Sequence, residues 1–427
     1  MPHPVKACRM SKIFDLVLFG ASGFTGEYVL EEFVKSEYYQ KYSFAIAGRS
    51  QSRLEKTLEK VGKLIDQDLS KIPILIADSS NPEQLQAVAE KAKVVISVVG
   101  PYRLYGEPLV KACVEGKASY VDISGEPAFL EKVQLKYGDK AKQNGVYIVG
   151  SCGFDSIPCD LGVQFLKKNF PGTLAYVETV GQFNPGPHGY TANDGTYQTI
   201  ILALENQKTD NLKGIRKELM PEKLNRTSFR PPKRSLVWQD EKIDRPVIPF
   251  LGADRAVVNR TQYYDATKKQ RYPVYIETYF SVQNIVWAYL ILLWVAVLNV
   301  LTKFSVTRQF LKDYPSIASF GTFAKNGGTR EQLKTSTFSY FIHGTGWAES
   351  EPQPDKAPTK SLTARVDGPD AGYIGTAGCL IAAAVTILED QEKLPENGGV
   401  FTPGAAFEET GILERLARFN VTYKILE

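Results

Sequence analysis

The chain has 427 residues, 43% of them hydrophobic and 23% charged, which excludes a disordered chain and exceeds what one ordinary core accommodates. Its 51 basic and 47 acidic residues leave a net charge of +4, too balanced for a bulk nucleic-acid footprint. The five cysteines, Cys8, Cys113, Cys152, Cys159 and Cys379, are scattered without a CxxC pair, so free thiols of a reducing compartment are expected, with neither disulfides nor a zinc site.

Residues 1–12 read as an N-terminal tail without the apolar run of a secretory signal, and the expectation is a protein that is not secreted. The Asn-x-Thr triplets at Asn225, Asn259 and Asn420 then carry no weight. The apolar run FDLVLFG at 14–20 ends in a glycine cluster, and Val29, Leu30 and Phe33 place helical spacing over 24–36. Strand, turn and helix recur at SFAIAG (43–48), PILIAD (73–78) and VVISVVG (94–100). Two further strands, near 119–123 and 145–149, flank a helix starting near Pro127. Apolar strands without alternation belong to a parallel sheet covered on both faces, so residues 13–150 predict a Rossmann-type doubly wound α/β domain.

The first turn reads Gly20-Ala21-Ser22-Gly23-Phe24-Thr25-Gly26. Glycine there lets the chain reverse, lets a pyrophosphate approach the backbone, and lets the helix pack close to its strand. At the end of the second strand, NAD binding ordinarily uses an acidic residue. This chain has Arg49 and Ser50, with Arg53 beyond, which suit a 2′-phosphate and favour NADP(H) over NAD(H). Asp78 closes the third strand, where it can meet the adenine side of the cofactor or cap the next helix. Gly100-Pro101 closes the fourth, where a bare backbone turn lets the nicotinamide half pass.

The segments FGASGFTGEYVLEE, AGRS, VVGPYRLYGEPLVKAC, YVDISGEPAFL, GSCGFDSIPCDLG and GVFTPGAAF resemble the saccharopine dehydrogenase-like oxidoreductases of animals. The resemblance runs in order from near residue 13 to the C-terminus and is weakest at about 205–260. It implies an NAD(P)-binding Rossmann domain, a second α+β domain and association with lipid droplets. Bacterial relatives act as trans enoyl reductases in the making of complex lipids. True saccharopine dehydrogenases hold a multiply charged adduct and need convergent basic groups, and no such arginine constellation is evident in this sequence.

Residues 151–427 predict that second α+β domain, with a C-terminal part able to pack back on the first. A helix runs to about Asn169, with Asp155 or Ser156 as N-cap and Pro158 in its first turn. Alternating stretches at 174–183, 273–282, 335–343 and 361–367 suggest an antiparallel or mixed sheet. Helices are expected near 195–206, 372–390 and 408–419, and a loop-rich stretch at 208–260. Residues 285–301, IVWAYLILLWVAVLNVL, are apolar with Asn299 as the one strongly polar residue. A helix of that length reaches roughly 25 Å, short of the roughly 30 Å hydrocarbon core. Three readings stand: insertion into a lipid monolayer or membrane face facing the cytosol, a buried core helix, and a full span. Trp287, Tyr289 and Trp294, with Lys303, Arg308 and Lys312 beyond, suit an interface.

Of three histidines, His3 lies in the tail, and neither His188 nor His343 has an acid partner nearby in sequence. Hydride transfer asks of the protein only orientation and one proton donor or acceptor. Tyr102, Asp122 and Asp155 are the catalytic candidates, because they follow strand ends or the domain junction; each also has a plain role as packing residue, turn cap or N-cap. Cys152 reads as a small buried thiol, and no metal site is expected. The leading reading is an NADP-dependent oxidoreductase acting on a small, lipid-like carbonyl or enoyl substrate at a lipid surface. The alternatives are a catalytically silent droplet-associated protein and a soluble amino-acid dehydrogenase.

Overall fold

The computed structural model describes residues 12–353 and 356–426, so His3, Cys8 and the rest of 1–11 lie outside the described residues. Strands β1 (Phe14–Phe19), β2 (Phe44–Gly48), β3 (Ile74–Ile76), β4 (Ala92–Ser97), β5 (Ser119–Asp122) and β6 (Tyr147–Val149) alternate with helices. They pair in parallel in the order β6-β5-β4-β1-β2-β3. Leu16, Val17, Leu18, Ala45, Ile46 and Ala47 are all fully buried: odd and even positions both meet helices, which is why these strands show no alternation. Local chemistry sets the helix ends. The Asn81 side chain accepts the amides of Glu83 and Gln84 ahead of Pro82, and Gly145 at φ 67° closes the helix Pro127–Asn144.

The second half opens with the helix Ile157–Asn169 and then β7 (Thr173–Asn184). Strand β8 (Ala192–Asn193) pairs with the later β12 (Phe323–Ala324) in a small separate sheet. Strands β9 (Trp238–Asp240), β10 (Arg245–Pro249), β11 (Tyr275–Ser281), β13 (Thr337–Trp347), β14 (Lys360–Pro369) and β16 (Thr422–Leu426) join β7 in a seven-stranded mixed sheet. Its order is β16-β14-β13-β7-β11-β10-β9, with β7 and β11 parallel and the other pairs antiparallel. Strand β15 (Gly399–Phe401) returns to the first sheet beside β6 and makes it seven-stranded. The helix Ile374–Glu389 also reaches back, packing on the helix Phe24–Lys35 and on β4 and β5. One continuous apolar core therefore runs from β1 to the C-terminal segments.

Two expectations change. The stretch 208–260 carries the helix Leu212–Leu219, β9, β10 and the start of the helix Asp254–Lys268. That last helix buries Asp254, Arg260, Thr261, Gln262 and Asp265 beside Val257 and Val258, so its inward face is mostly polar and leaves no apolar period to read. The helix expected at 408–419 is shorter, Ile412–Ala417, and a separate short helix, Pro403–Phe407, precedes it.

The apolar run is a helix, Ile285–Leu301, that packs on the helix Asp194–Asn206 and on β10. It is not a core helix. Only Ala288 and Leu298 are buried, whereas Ile285, Val286, Trp287, Tyr289, Leu290, Leu293, Val297 and Val300 are 45–62% exposed. Among the described residues no helix is long and apolar enough to cross a membrane.

Candidate functional site

The turn after β1 is held by backbone bonds: Gly20 N–H donates to Ala47 O at 2.8 Å and Gly23 N–H to Gly20 O at 2.9 Å. Gly20 has φ +97°, and a β-carbon there would stand 2.6 Å from Val99 Cγ2; one on Gly26 would stand 2.2 Å from Gly20 O. Only glycine fits both places. Helix Phe24–Lys35 begins at Gly23 with no side chain capping it, so its first amides and positive dipole end are left for a ligand, as an anionic pyrophosphate requires. Ala21 is buried behind the turn, and the Phe24 ring meets Tyr373 edge-on with centroids 4.7 Å apart. Arg330 pairs with Glu27 and Glu31. The second half of the chain thus grips the helix that the turn opens.

Beside the turn, Arg53 donates to Ser22 O at 3.4 Å, and Ser50 precedes the helix Gln51–Ile65. Arg49 is exposed and faces Asp78, whose carboxyl is held below its usual range by Ser80 and, to a smaller degree, by Arg49. Asp78 caps the local turn by accepting from the Ser80 amide at 2.8 Å and hydroxyl at 2.6 Å. Arg49, Ser50 and Arg53 therefore gather at the carboxyl ends of β1 and β2, with a guanidinium at Arg49 that no described residue engages in a hydrogen bond or ion pair.

Gly100-Pro101, joined by a cis peptide bond, follows β4 and leads into the helix Tyr102–Glu115. Tyr102 turns inward. Its hydroxyl donates to Ser97 O at 2.9 Å and accepts from Ile123 N–H at 3.3 Å, bracing the ends of β4 and β5. Burial pushes its pKa well above the ordinary phenol value, so this proton is engaged inside the fold. Glu126 accepts the amides of Tyr102 and Arg103 and so caps that helix across the chain.

Asp122 is also interior. Oδ1 accepts from Ser124 N–H at 2.9 Å and Ser151 N–H at 3.0 Å, and Oδ2 lacks a partner. The residue lines a cavity of about 10 Å³ with Tyr120, Gly150 and Arg260, room for about one water molecule. Burial pushes its carboxyl up to about 6 against the two amide bonds that pull it down.

Asp155 lies where the two sheets meet. A β-carbon on Gly125, just beyond β5, would stand 3.0 Å from Asp155 Oδ2, and one on Gly252 would stand 2.9 Å from Oδ1. Oδ1 is sealed and unpartnered, while the residue as a whole keeps part of its surface. Asp254, at the start of its helix, follows two residues after Gly252 on the same side of Asp155; Asp254 Oδ2 accepts from the Tyr340 hydroxyl at 2.7 Å. Burial raises both carboxyls, and the charge of Asp254 raises Asp155 further. Sequence reading missed Asp254 and Tyr340; the one available signal was an acid opening a helix, which is commonplace.

His343 Nε2 lies 3.3 Å from Asp240 Oδ2, an acid distant in sequence. Cys113, Cys152, Cys159 and Cys379 are buried free thiols, and burial pushes the Cys152 thiol well up, which makes it inert.

A glycine cradle that a β-carbon would fill, an uncapped helix N-terminus at a strand-order switch and a second sheet against the carboxyl ends define a dinucleotide-binding protein of the Rossmann class. Residues 16–149 match the family model of the saccharopine dehydrogenase NADP binding domain, and NADP(H) is the cofactor this domain binds. The chain is 46% identical to a Caenorhabditis elegans protein named "Lipid droplet localized protein", over 96% of this chain and 98% of that one. It is 39% identical to the "Saccharopine dehydrogenase-like oxidoreductase" of Rattus norvegicus, over 97% of each. The chain belongs to the saccharopine dehydrogenase-like oxidoreductase family. Its fold is similar to apo saccharopine dehydrogenase (L-Glu forming) from Saccharomyces cerevisiae, with TM-score 0.55, 13% identity and coverage of 96% and 99%.

Proposed function

We propose that this oxidoreductase uses NADPH to reduce a lipid-like carbonyl or conjugated alkene, working where the helix Ile285–Leu301 rests on a lipid monolayer or the cytosolic face of a membrane. The observation that carries this reading is the outward apolar face of that helix, which continues through exposed Phe304, Val306, Phe310, Ile317 and Phe320. A patch of this kind marks an interaction surface. Trp287 and Tyr289 suit a lipid interface, and Lys303 is exposed just beyond the helix. The worm relative's name supports the same place of work.

When bound, NADPH supplies a hydride. The chain's part is to hold the pyrophosphate on the Gly20–Gly26 backbone and the 2′-phosphate with Arg49, Ser50 and Arg53. Gly100 and Pro101 leave backbone space for the nicotinamide half, and Asp78 borders the adenine side.

Arg103, Arg216, Arg234, Arg271 and Arg415 are each committed to a carboxylate, so none of these five is free to hold a multiply charged amino-acid adduct. The test has two arms: flotation of the purified chain with phospholipid-coated triolein droplets, and oxidation of NADPH in the presence of a long-chain 2-enal. Flotation and turnover together support the proposal. Nucleotide binding with flotation but no turnover of enals or ketones favours the silent droplet protein, and failure to float overturns the surface role.

A further inference from the structure

We propose that Asp155 and Asp254 share one proton across the junction of the two sheets, and that Asp155 is the member that hands it to the substrate. The substrate's identity rests on the reductase reading above; the pair itself does not.

Both carboxyls have an oxygen that is cut off from solvent and has no hydrogen-bond partner, Asp155 Oδ1 and Asp254 Oδ1. No lysine, arginine or histidine among the described residues forms a salt bridge with either one. Asp155 Oδ1 lies against Gly252, two residues before Asp254, and the Tyr340 ring that reaches Asp254 packs on Phe154 beside Asp155; two ionised carboxylates in one such dry pocket are untenable, so one of them holds a proton. The other titratable groups facing Asp254 are the Tyr340 hydroxyl and the Cys159 thiol, both buried and both pushed well above their ordinary values by that burial.

The members are not equivalent. Asp254 accepts a hydrogen bond from Tyr340 and opens the helix Asp254–Lys268, where the dipole favours negative charge. It is the ionised partner. Asp155 also stands at a helix start, before Ile157–Asn169, but accepts no such hydrogen bond, and its Oδ2 lies against Gly125 in the turn that follows β5, at the carboxyl end of the parallel sheet where ligands of such folds bind. It is the protonated partner, on the side of the turn after β5. In the reduction, the hydride and its two electrons reach one carbon of the double bond. The Asp155 O–H bond breaks, the proton joins the other end of that double bond, and the O–H electron pair stays on the carboxylate. A proton from solvent then restores the pair. Asp254 and Tyr340 are positioning residues, since they act through Asp155.

The experiment is infrared titration of the whole purified chain without nucleotide, following the carbonyl stretch of protonated carboxyls in wild type, Asp155→Asn and Asp254→Asn. The proposal expects a buried carboxyl band at neutral pH that Asp155→Asn removes. In Asp254→Asn the band stays but its midpoint falls by about one pH unit or more, because the neighbouring charge is gone. No such band in the wild type, or a midpoint unmoved in Asp254→Asn, overturns the pair. NADPH binding measured on the same variants separates the two readings. Intact binding in Asp155→Asn is expected, and loss of binding in wild type defeats the reductase reading while leaving the infrared result to judge the pair.

Discussion

Replacing Arg49 with alanine should weaken NADPH binding and leave NADH binding nearly untouched. Arg49 follows the last residue of β2 and is exposed, so its removal empties no core and breaks no ion pair within the fold. What it loses is the charge-assisted bond to the 2′-phosphate. Hydrogen bonds to charged groups contribute about 1.5–3 kcal/mol, and at a solvent-exposed site the lower half of that range applies. Arg53, held near the same turn by its contact with Ser22 O, supplies part of the remaining attraction. A net loss of about 2 kcal/mol corresponds to roughly 30-fold in Kd. The assay is fluorescence titration with NADPH and with NADH, wild type against Arg49→Ala, repeated at raised salt to show the electrostatic share. Equal weakening for both nucleotides would refute the reasoning, because NADH lacks the phosphate; so would unchanged NADPH binding.

Gly26→Ala should abolish nucleotide binding and lower Tm, since its β-carbon would meet backbone that cannot step aside, 2.2 Å from Gly20 O and 2.8 Å from Ala21 Cα; overpacking of this kind costs about 1–3 kcal/mol, read by thermal unfolding. Trp287→Ser, Leu290→Ser and Leu293→Ser combined should leave the far-ultraviolet dichroism unchanged and reduce droplet flotation. Full burial of such a side chain is worth about 1.5–3 kcal/mol, so three half-exposed ones lose about 3 kcal/mol together, roughly a hundredfold in partition. Asp122→Asn should change how stability depends on pH. The folded carboxyl is raised to about 6 by burial, so the wild type holds that share of its stability below the unfolded pKa of about 4 and loses it as pH rises through about 6. Asparagine can still accept from Ser124 and Ser151, and denaturant unfolding should show the variant gaining about 2–3 kcal/mol on the wild type between pH 4 and pH 7, because each pH unit separating the folded from the unfolded value is worth about 1.4 kcal/mol. A flat difference curve would mean that Asp122 is not the buried titrating group.

The dinucleotide domain was legible because everything that specifies it is local. An apolar strand, a glycine turn and a helix of period 3.6 lie consecutively, and six such strands name their own sheet. Arg49 and Ser50 could be read for the same reason, since the end of β2 is a place that sequence order alone defines. Strand β15 was not legible as a strand: Gly399–Phe401 is three residues long, and it belongs to the first sheet only because the chain returns to β6 after some 250 residues of the second half. Tyr102 and Asp122 were found at the right strand ends, yet position along a strand does not say which way a side chain turns. Tyr102 meets Ser97 O and Ile123 N, Asp122 meets two backbone amides, and both face inward. The acid near Asp155 comes from Asp254, 99 positions away in a helix whose buried face is mostly polar. No periodicity could mark it, because periodicity records apolar burial and this helix buries only Val257 and Val258 of that kind, beside Arg260, Thr261, Gln262 and Asp265.

The apolar helix shows the same limit from the other side. Seventeen residues such as IVWAYLILLWVAVLNVL satisfy a core and a lipid surface equally well, since both remove the side chains from water. What decides between them is how much of the rest of the chain is available to cover the helix. Residues 194–206 and β10 cover one narrow side, sealing Ala288 and Leu298, and Trp294 donates to Ala318 O at 2.9 Å, which ties the helix to the short one at Pro315–Ala318. Arg308 and Lys312 are drawn toward Glu205, so the polar contacts of this subassembly are spent inward while Val306, Phe310 and Phe320 point out. A helix destined for the core would show the reverse, with charges at the rim and aromatic residues inside. This exposed apolar face is what the proposed lipid contact rests on, since a monolayer can cover it with no need for a shaped partner.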